Sequence, residues 1–221
     1  GCAIRPAMPL KSKICGINSS AALAAAAAGG ADFVGFVFYP PSPRAVTPEQ
    51  AAALVAEAPA GLGRVGLFVD ADDRTIGTTL DAVPPDLLQL HGDETPERLT
   101  EIRRLSGLPL IKALKIAGPA DLDTVPRHAA VADWLLFDAK APKSKPSLPG
   151  GNALSFDWRL LAGCEVGRPW FLSGGLDAGN LAQAVALSGA RAVDVSSGVE
   201  SRRGLKSPAR IEAFLARAAE L

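Results

Sequence analysis

The chain has 221 residues, 48% of them hydrophobic, and its 23 lysines and arginines balance 23 aspartates and glutamates. Balanced charge gives no general attraction for nucleic acid or an anionic membrane surface, and no apolar run reaches the roughly 18 residues of a membrane-spanning helix. Three cysteines, Cys2, Cys15 and Cys164, are too few and too scattered for a disulfide framework or a zinc knuckle, which points to a reducing, cytoplasmic setting.

Residues 1–11, GCAIRPAMPLK, lack the apolar core of a secretory signal and are set aside as an extension or expression remnant, leaving 12–221 as the predicted domain. Strand-like runs then follow in order: KICGI (13–17), FVGFVF (33–38), RVGLFV (64–69), LLQLHG (87–92), LIKALKI (110–116), WLLFD (134–138), WFLSGG (170–175) and AVDVSSG (192–198). Most are continuously apolar, as expected of parallel strands covered on both faces. Ala/Leu-rich segments lie between them, and several carry start signals. TPEQ at Thr47 offers an N-cap, a proline at the first helical position and Gln50 for a capping box, and TPER at Thr95 and SPAR at Ser207 repeat the cap-then-proline pattern. Eight strands, each followed by a helical pattern, predict a single-domain α/β fold, the (β/α)8 TIM barrel. The long irregular segment AKAPKSKPSLPGGN (139–152) is expected to be a mobile βα loop rather than a linker. No long exposed apolar stripe stands out among the predicted helices, so a monomer is expected.

Active sites of such barrels lie at the C-terminal ends of the strands. Cys15 ends strand one, where it is either a small buried hydrophobe or a catalytic thiol. Arg44, in YPPSPR after strand two, is either an ordinary surface arginine or a bidentate clamp for a carboxylate or phosphate. His91 ends strand four, where it either hydrogen-bonds across the barrel top or contacts substrate. Asp138 ends strand six; a carboxylate at a buried strand end needs a partner or a function, and loop capping would also account for it. His128 sits in a polar helical stretch and is expected to be exposed. After strand seven come Gly174 and Gly175, and strand eight carries Asp194, assigned to substrate contact, before Ser197 and Gly198. The two loops together describe the phosphate site of this fold, in preference to two tight turns, because bare backbone N–H groups there can meet an anion.

Taken in order, KICGI, GADFVGFVF followed by SPR, LLQLHGDE, LLFD, FDW, SGGL with Asn180 shortly after, and VDVSSGVE leading to GLKS resemble the phosphoribosylanthranilate isomerase family of tryptophan biosynthesis. The resemblance runs from Lys13 to the last helix. It implies an Amadori rearrangement of N-(5-phosphoribosyl)anthranilate to 1-(2-carboxyphenylamino)-1-deoxyribulose 5-phosphate, without metal or organic cofactor. It implies Cys15 as general base, Asp138 as general acid, Arg44 on the anthranilate carboxylate, and Gly174, Gly175, Ser197 and Gly198 around the phosphate of a small phosphorylated sugar. One departure is that the family's Gly-Gly-Thr-Gly before FDW reads Gly150-Gly151-Asn152-Ala153 here. Two alternatives stand beside this reading. A histidine-pathway or dual-substrate sugar isomerase would use aspartates for both acid and base, and a non-catalytic phosphate-binding barrel would not require Cys15 and Asp138 together.

Overall fold

The computed structural model describes residues 9–140 and 154–221. Eight parallel strands close into a barrel in chain order: β1 (Lys11–Cys15), β2 (Phe33–Val37), β3 (Gly63–Phe68), β4 (Leu87–Leu90), β5 (Leu110–Ile116), β6 (Trp134–Ala139), β7 (Trp170–Leu172) and β8 (Ala192–Val195). Side chains alternate along each strand, so every second residue enters the barrel. In β6, Leu135 and Phe137 join the layer beneath the helices, while Leu136 packs inside the barrel. Helices α1 (Ser20–Ala28), α2 (Pro48–Glu57), α3 (Asp73–Ala82), α4 (Pro96–Ser106), α5 (Val125–Ala129), α6 (Leu181–Ser188) and α7 (Pro208–Ala219) follow the strands.

The predicted helix starts are present. Thr47 and Gln50 form a reciprocal capping box, and the side chains of Thr95 and Ser207 accept from the N–H groups of Arg98 and Arg210. Three features differ from expectation. Strand β1 spans Lys11–Cys15 rather than 13–17, because Gly16 turns the chain at φ +79° while the Asp32 carboxylate receives the Ser12 N–H at the other end. Between β6 and β7 the described residues contain only a short 3-10 helix, Trp158–Leu161, in place of a full helix. A hairpin of β9 (Glu200–Arg202) and β10 (Leu205–Lys206) intervenes between β8 and α7. His128 is also corrected: it is 5% exposed, not solvated, and its Nδ1 donates to the Thr124 carbonyl at 2.9 Å. Burial holds its pKa below the ordinary value against that hydrogen bond. The segment 141–153, including Asn152 and Ala153, lies outside the described residues, as do residues 1–8. No helix among the described residues is long and apolar enough to cross a membrane.

Inside the barrel the side chains fall into three levels. Phe33, Trp134 and Phe171, near the strand starts, make an aromatic floor: Trp134 stacks on Phe171 at 4.8 Å, and Phe33 meets both edge-on. Above it lies a polar level of Lys13, Gln89 and Asp194, all buried. The top level holds Cys15, Val37, Leu67, His91, Asp138 and Ser173.

We expect Phe171→Ala to cost about 3–5 kcal/mol, because it removes the ring that both floor partners pack against. Urea unfolding followed by far-ultraviolet circular dichroism measures it. A loss below about 1 kcal/mol would mean that the floor collapses freely around the deletion.

Candidate active site

The top level opens into a cavity at the C-terminal ends of the strands. Cys15, Arg44, His91, Asp138, Gly174, Gly175, Asp194 and Ser197 all line it, so the fold gathers eight of the nine sequence-predicted site residues. Gly198 is not among the lining residues; a Cβ there would overlap the Leu176 carbonyl oxygen, so this glycine permits contact between the loops after β7 and β8. Gly174 and Gly175 have φ of +87° and +68°, consecutive left-handed residues that an L side chain would strain. Side chains there would also meet backbone atoms of Ala139 and Leu154 at 2.8 and 2.9 Å. The turn therefore packs against the end of β6, close to Asp138.

Asp138 is held from two sides. Its Oδ1 accepts the Ala139 N–H at 2.8 Å, and its Oδ2 lies 3.1 Å from His91 Nε2. The other ring nitrogen of His91, Nδ1, accepts from the Gln89 side-chain amide at 2.8 Å, which leaves the ring proton on Nε2 to donate to Asp138. Gln89 is fully buried on β4, and its amide oxygen has no hydrogen-bond partner among the described residues. An orphaned carbonyl oxygen in the barrel interior is costly, and it is tolerated at the position that orients His91.

Cys15 sits across the cavity on β1. Gly35 is its partner on β2, and the absence of a side chain there opens the space into which the thiol projects. Burial pushes the Cys15 thiol above its ordinary pKa, while the ammonium groups of Lys13 and Lys206 pull it down and Asp194 pushes it further up. The backbone carbonyl of Cys15 accepts from Ser196 Oγ, and Lys206 Nζ donates to the carbonyl of Ser196 at 2.8 Å.

Arg44 is buried rather than a surface arginine. Its Nε and Nη2 meet the two carboxylate oxygens of Glu200 at 2.6 and 2.9 Å, and Lys206 Nζ reaches Glu200 Oε1 at 3.0 Å. Burial would raise the Glu200 carboxyl pKa, but Arg44 and Lys206 outweigh it and hold the group below the carboxylate range. Sequence reasoning missed Lys13, Gln89, Glu200 and Lys206. The available signal was a charged or amide residue inside an otherwise apolar run, as in KICGI and LLQLHG. Among the described residues, no group of three or more His, Cys, Asp or Glu is arranged to hold a metal ion.

A carboxylate depressed by native contacts contributes stability that is complete above its unfolded pKa, about 4.3, and is lost as pH falls through the folded value. We therefore expect parent stability to fall below about pH 4.3 and the Glu200→Gln variant to fall less steeply there. At pH 7 the variant should lose about 3 kcal/mol, since two buried cations lose their shared anion. Denaturant midpoints between pH 3 and 7 test both, and identical acid limbs would remove Glu200 from the titrating set.

Comparison with known proteins gives a consistent result. The family model for N-(5'-phosphoribosyl)anthranilate (PRA) isomerase matches residues 12–217. A relative from Rhodospirillum centenum, named N-(5'-phosphoribosyl)anthranilate isomerase, is 59% identical over 214 residues, covering 97% of this chain and 100% of the relative. The crystal structure of phosphoribosyl anthranilate isomerase from Thermotoga maritima is 34% identical, with a TM-score of 0.84 over 96% of this chain and 100% of that one. A second isomerase structure, in complex with reduced 1-(o-carboxyphenylamino)-1-deoxyribulose 5-phosphate, has a TM-score of 0.81 at 32% identity over 96% of this chain and 100% of that one.

Proposed function

The chain belongs to the N-(5'-phosphoribosyl)anthranilate isomerase family, and on that premise we propose that Cys15 and Asp138 carry its aldose–ketose rearrangement in tryptophan biosynthesis. The supporting observation is that these two groups, from β1 and β6, line one cavity together with a guanidinium and a glycine turn. Asp138 protonates the furanose ring oxygen, the C1′–O bond breaks, and the anthranilate nitrogen lone pair makes the C1′=N iminium. Cys15 as thiolate then takes the C2′ proton. The C2′–H pair forms the C1′=C2′ bond, the iminium π pair returns to nitrogen, and the resulting enolamine tautomerises to the ketone.

Remaining groups take supporting roles in this reading. Arg44 engages the anthranilate carboxylate, held in orientation by Glu200. The Gly174–Gly175 turn and Ser197 present backbone N–H groups to the phosphate, while Gly198 lets the two loops approach. With both ring nitrogens engaged by Gln89 and Asp138, His91 serves as a positioning residue for the acid. Asp194 lines the cavity and offers substrate its rim, while its carboxylate oxygens meet Lys13 and Ser173. A base that must remain a free thiol suits a reducing compartment, so we place the enzyme in the cytoplasm. We also read it as a monomer: among the described residues the large exposed hydrophobic side chains, Leu105 on α4, Leu205 on β10 and Leu221 beyond α7, belong to different parts of the chain.

Cys15→Ala should lower turnover by about 100-fold or more while leaving ligand affinity nearly intact, because it deletes proton transfer rather than contacts. Steady-state assay with substrate generated in place, paired with calorimetric binding of a reduced product analogue, measures both; near-parental turnover would make Cys15 a packing residue. Asp138→Asn keeps shape and a hydrogen-bond donor but cannot transfer a proton. It should bind the same analogue as the parent does, with a single-turnover rate slower by about 100-fold or more. If affinity and rate fall together, Asp138 is positional.

A further inference from the structure

A buried lysine under the catalytic thiol is the feature that the mechanism above does not use. Lys13 is 0% exposed, two residues before Cys15 on β1, so both side chains enter the barrel on the same face. Its Nζ donates to Asp194 Oδ1 at 2.8 Å, and Asp194 Oδ2 accepts from Ser173 Oγ at 3.2 Å. If the pair served only to hold β1 to β8, apolar residues of similar volume would do as well or better. The ammonium, however, has a second neighbour. A Cβ placed on Gly35 would sit 3.1 Å from the Cys15 sulfur and 3.3 Å from Lys13 Nζ, so thiol and ammonium share the space that this glycine leaves open.

We propose that Lys13 is a positioning residue for the reaction, its buried ammonium serving as the fixed counter-charge of the Cys15 thiolate. The proposal rests on Cys15 acting as the base. At a buried position water stabilises a thiolate poorly, and a cation already held in place supplies that field without reorganisation. Asp194 fixes the ammonium and keeps it protonated: burial alone would lower the Lys13 pKa, but Asp194 and the Cys15 sulfur outweigh it and raise it. The proton that leaves the thiol goes to water at the cavity mouth, and the sulfur later regains one from C2′.

Other charged and titratable groups face the thiol from the surrounding elements. Asp194 on β8 opposes the thiolate, and Lys206 on β10 assists it less than Lys13 does. His91 after β4, Asp138 on β6 and Arg44 after β2 line the same cavity, with Glu200 on β9 neutralising Arg44. Of these groups, Lys13 sits on the thiol's own strand, is fully enclosed, and shares with the sulfur the space over Gly35.

The test compares the parent with Lys13→Met and with Lys13→Met/Asp194→Asn, which keeps the shape of the pair without its charges. The rate of Cys15 alkylation by iodoacetamide is followed against pH by peptide-resolved mass spectrometry, which separates Cys15 from Cys2 and Cys164. The alkylation midpoint should rise by about one pH unit or more in Lys13→Met, the size of effect expected from an adjacent opposite charge. Turnover at pH 8 should fall about tenfold, with KM little changed, since a rarer thiolate slows the chemistry rather than binding. If Lys13→Met fails to fold because Asp194 is left uncompensated, the double variant carries the test. It should fold, and its midpoint should still lie above that of the parent, because Lys13 acts on the thiol more strongly than the anion removed with it. A folded variant of either kind with the parental midpoint overturns the proposal, as does a raised midpoint with undiminished turnover. Failure of the base assignment itself would look different: Cys15→Ala would turn over normally while the alkylation midpoints still moved.

Discussion

Closing an eight-stranded sheet forces its first strand against its last, and here that seam carries a buried charge pair. Lys13 and Asp194 are register partners across β1 and β8, and their side chains meet inside the barrel. A slip of one residue at this seam would drive an ammonium into the apolar layer under the helices, at a cost of several kcal/mol. Register at the seam fixes where β1 and β8 end, and the strand ends decide which side chains reach the cavity. The placement of Cys15, two residues beyond Lys13, follows from the same constraint that closes the fold.

Charge is arranged around the cavity in two separate systems. On one side, Arg44 in the loop after β2, Glu200 on β9 and Lys206 on β10 form a cation–anion–cation row. The hairpin that supplies two of these groups is tied to the loop after β1, where Asn18 donates to the Gly204 carbonyl, and is braced internally by the Gly204 N–H donating to Glu200. On the other side runs a hydrogen-bonded chain from Gln89 through His91 to Asp138. On the proposed roles, the base and Lys13 belong to the β1–β8 half of the barrel, and the acid and His91 to the β4–β6 half. Such separation keeps two titratable groups from neutralising each other across a low-dielectric site.

Much of this was legible in the chain itself, for identifiable physical reasons. Continuous apolar runs at regular spacing announced parallel strands, and Thr47, Thr95 and Ser207 announced helices because capping is local chemistry. Cys15, Asp138 and the Gly174–Gly175 turn were picked out as candidates, and share one cavity, because a strand-end rule converts fold into position. His128 was misread because its burial depends on how the short helix α5 sits against the barrel, a tertiary fact absent from a polar-looking stretch. Glu200 was invisible as a partner of Arg44 because 156 residues separate them and only the closed barrel unites them. Lys13 and Gln89 were overlooked for a different reason: a strand period of two assigns a residue to the interior without saying what that interior holds.

The aromatic floor has a consequence for traffic. Phe33, Trp134 and Phe171 fill the barrel below its polar level, so among the described residues the cavity opens at the C-terminal ends of the strands. On the proposed roles, substrate would arrive and ketone depart through that opening, past Arg44 and the Gly174–Gly175 turn. Both molecules carry the phosphate and the aromatic carboxylate that the proposed roles assign to those groups, so an incoming molecule would not push an outgoing one through. Occupancy is strictly serial, and every grip that speeds capture also delays release.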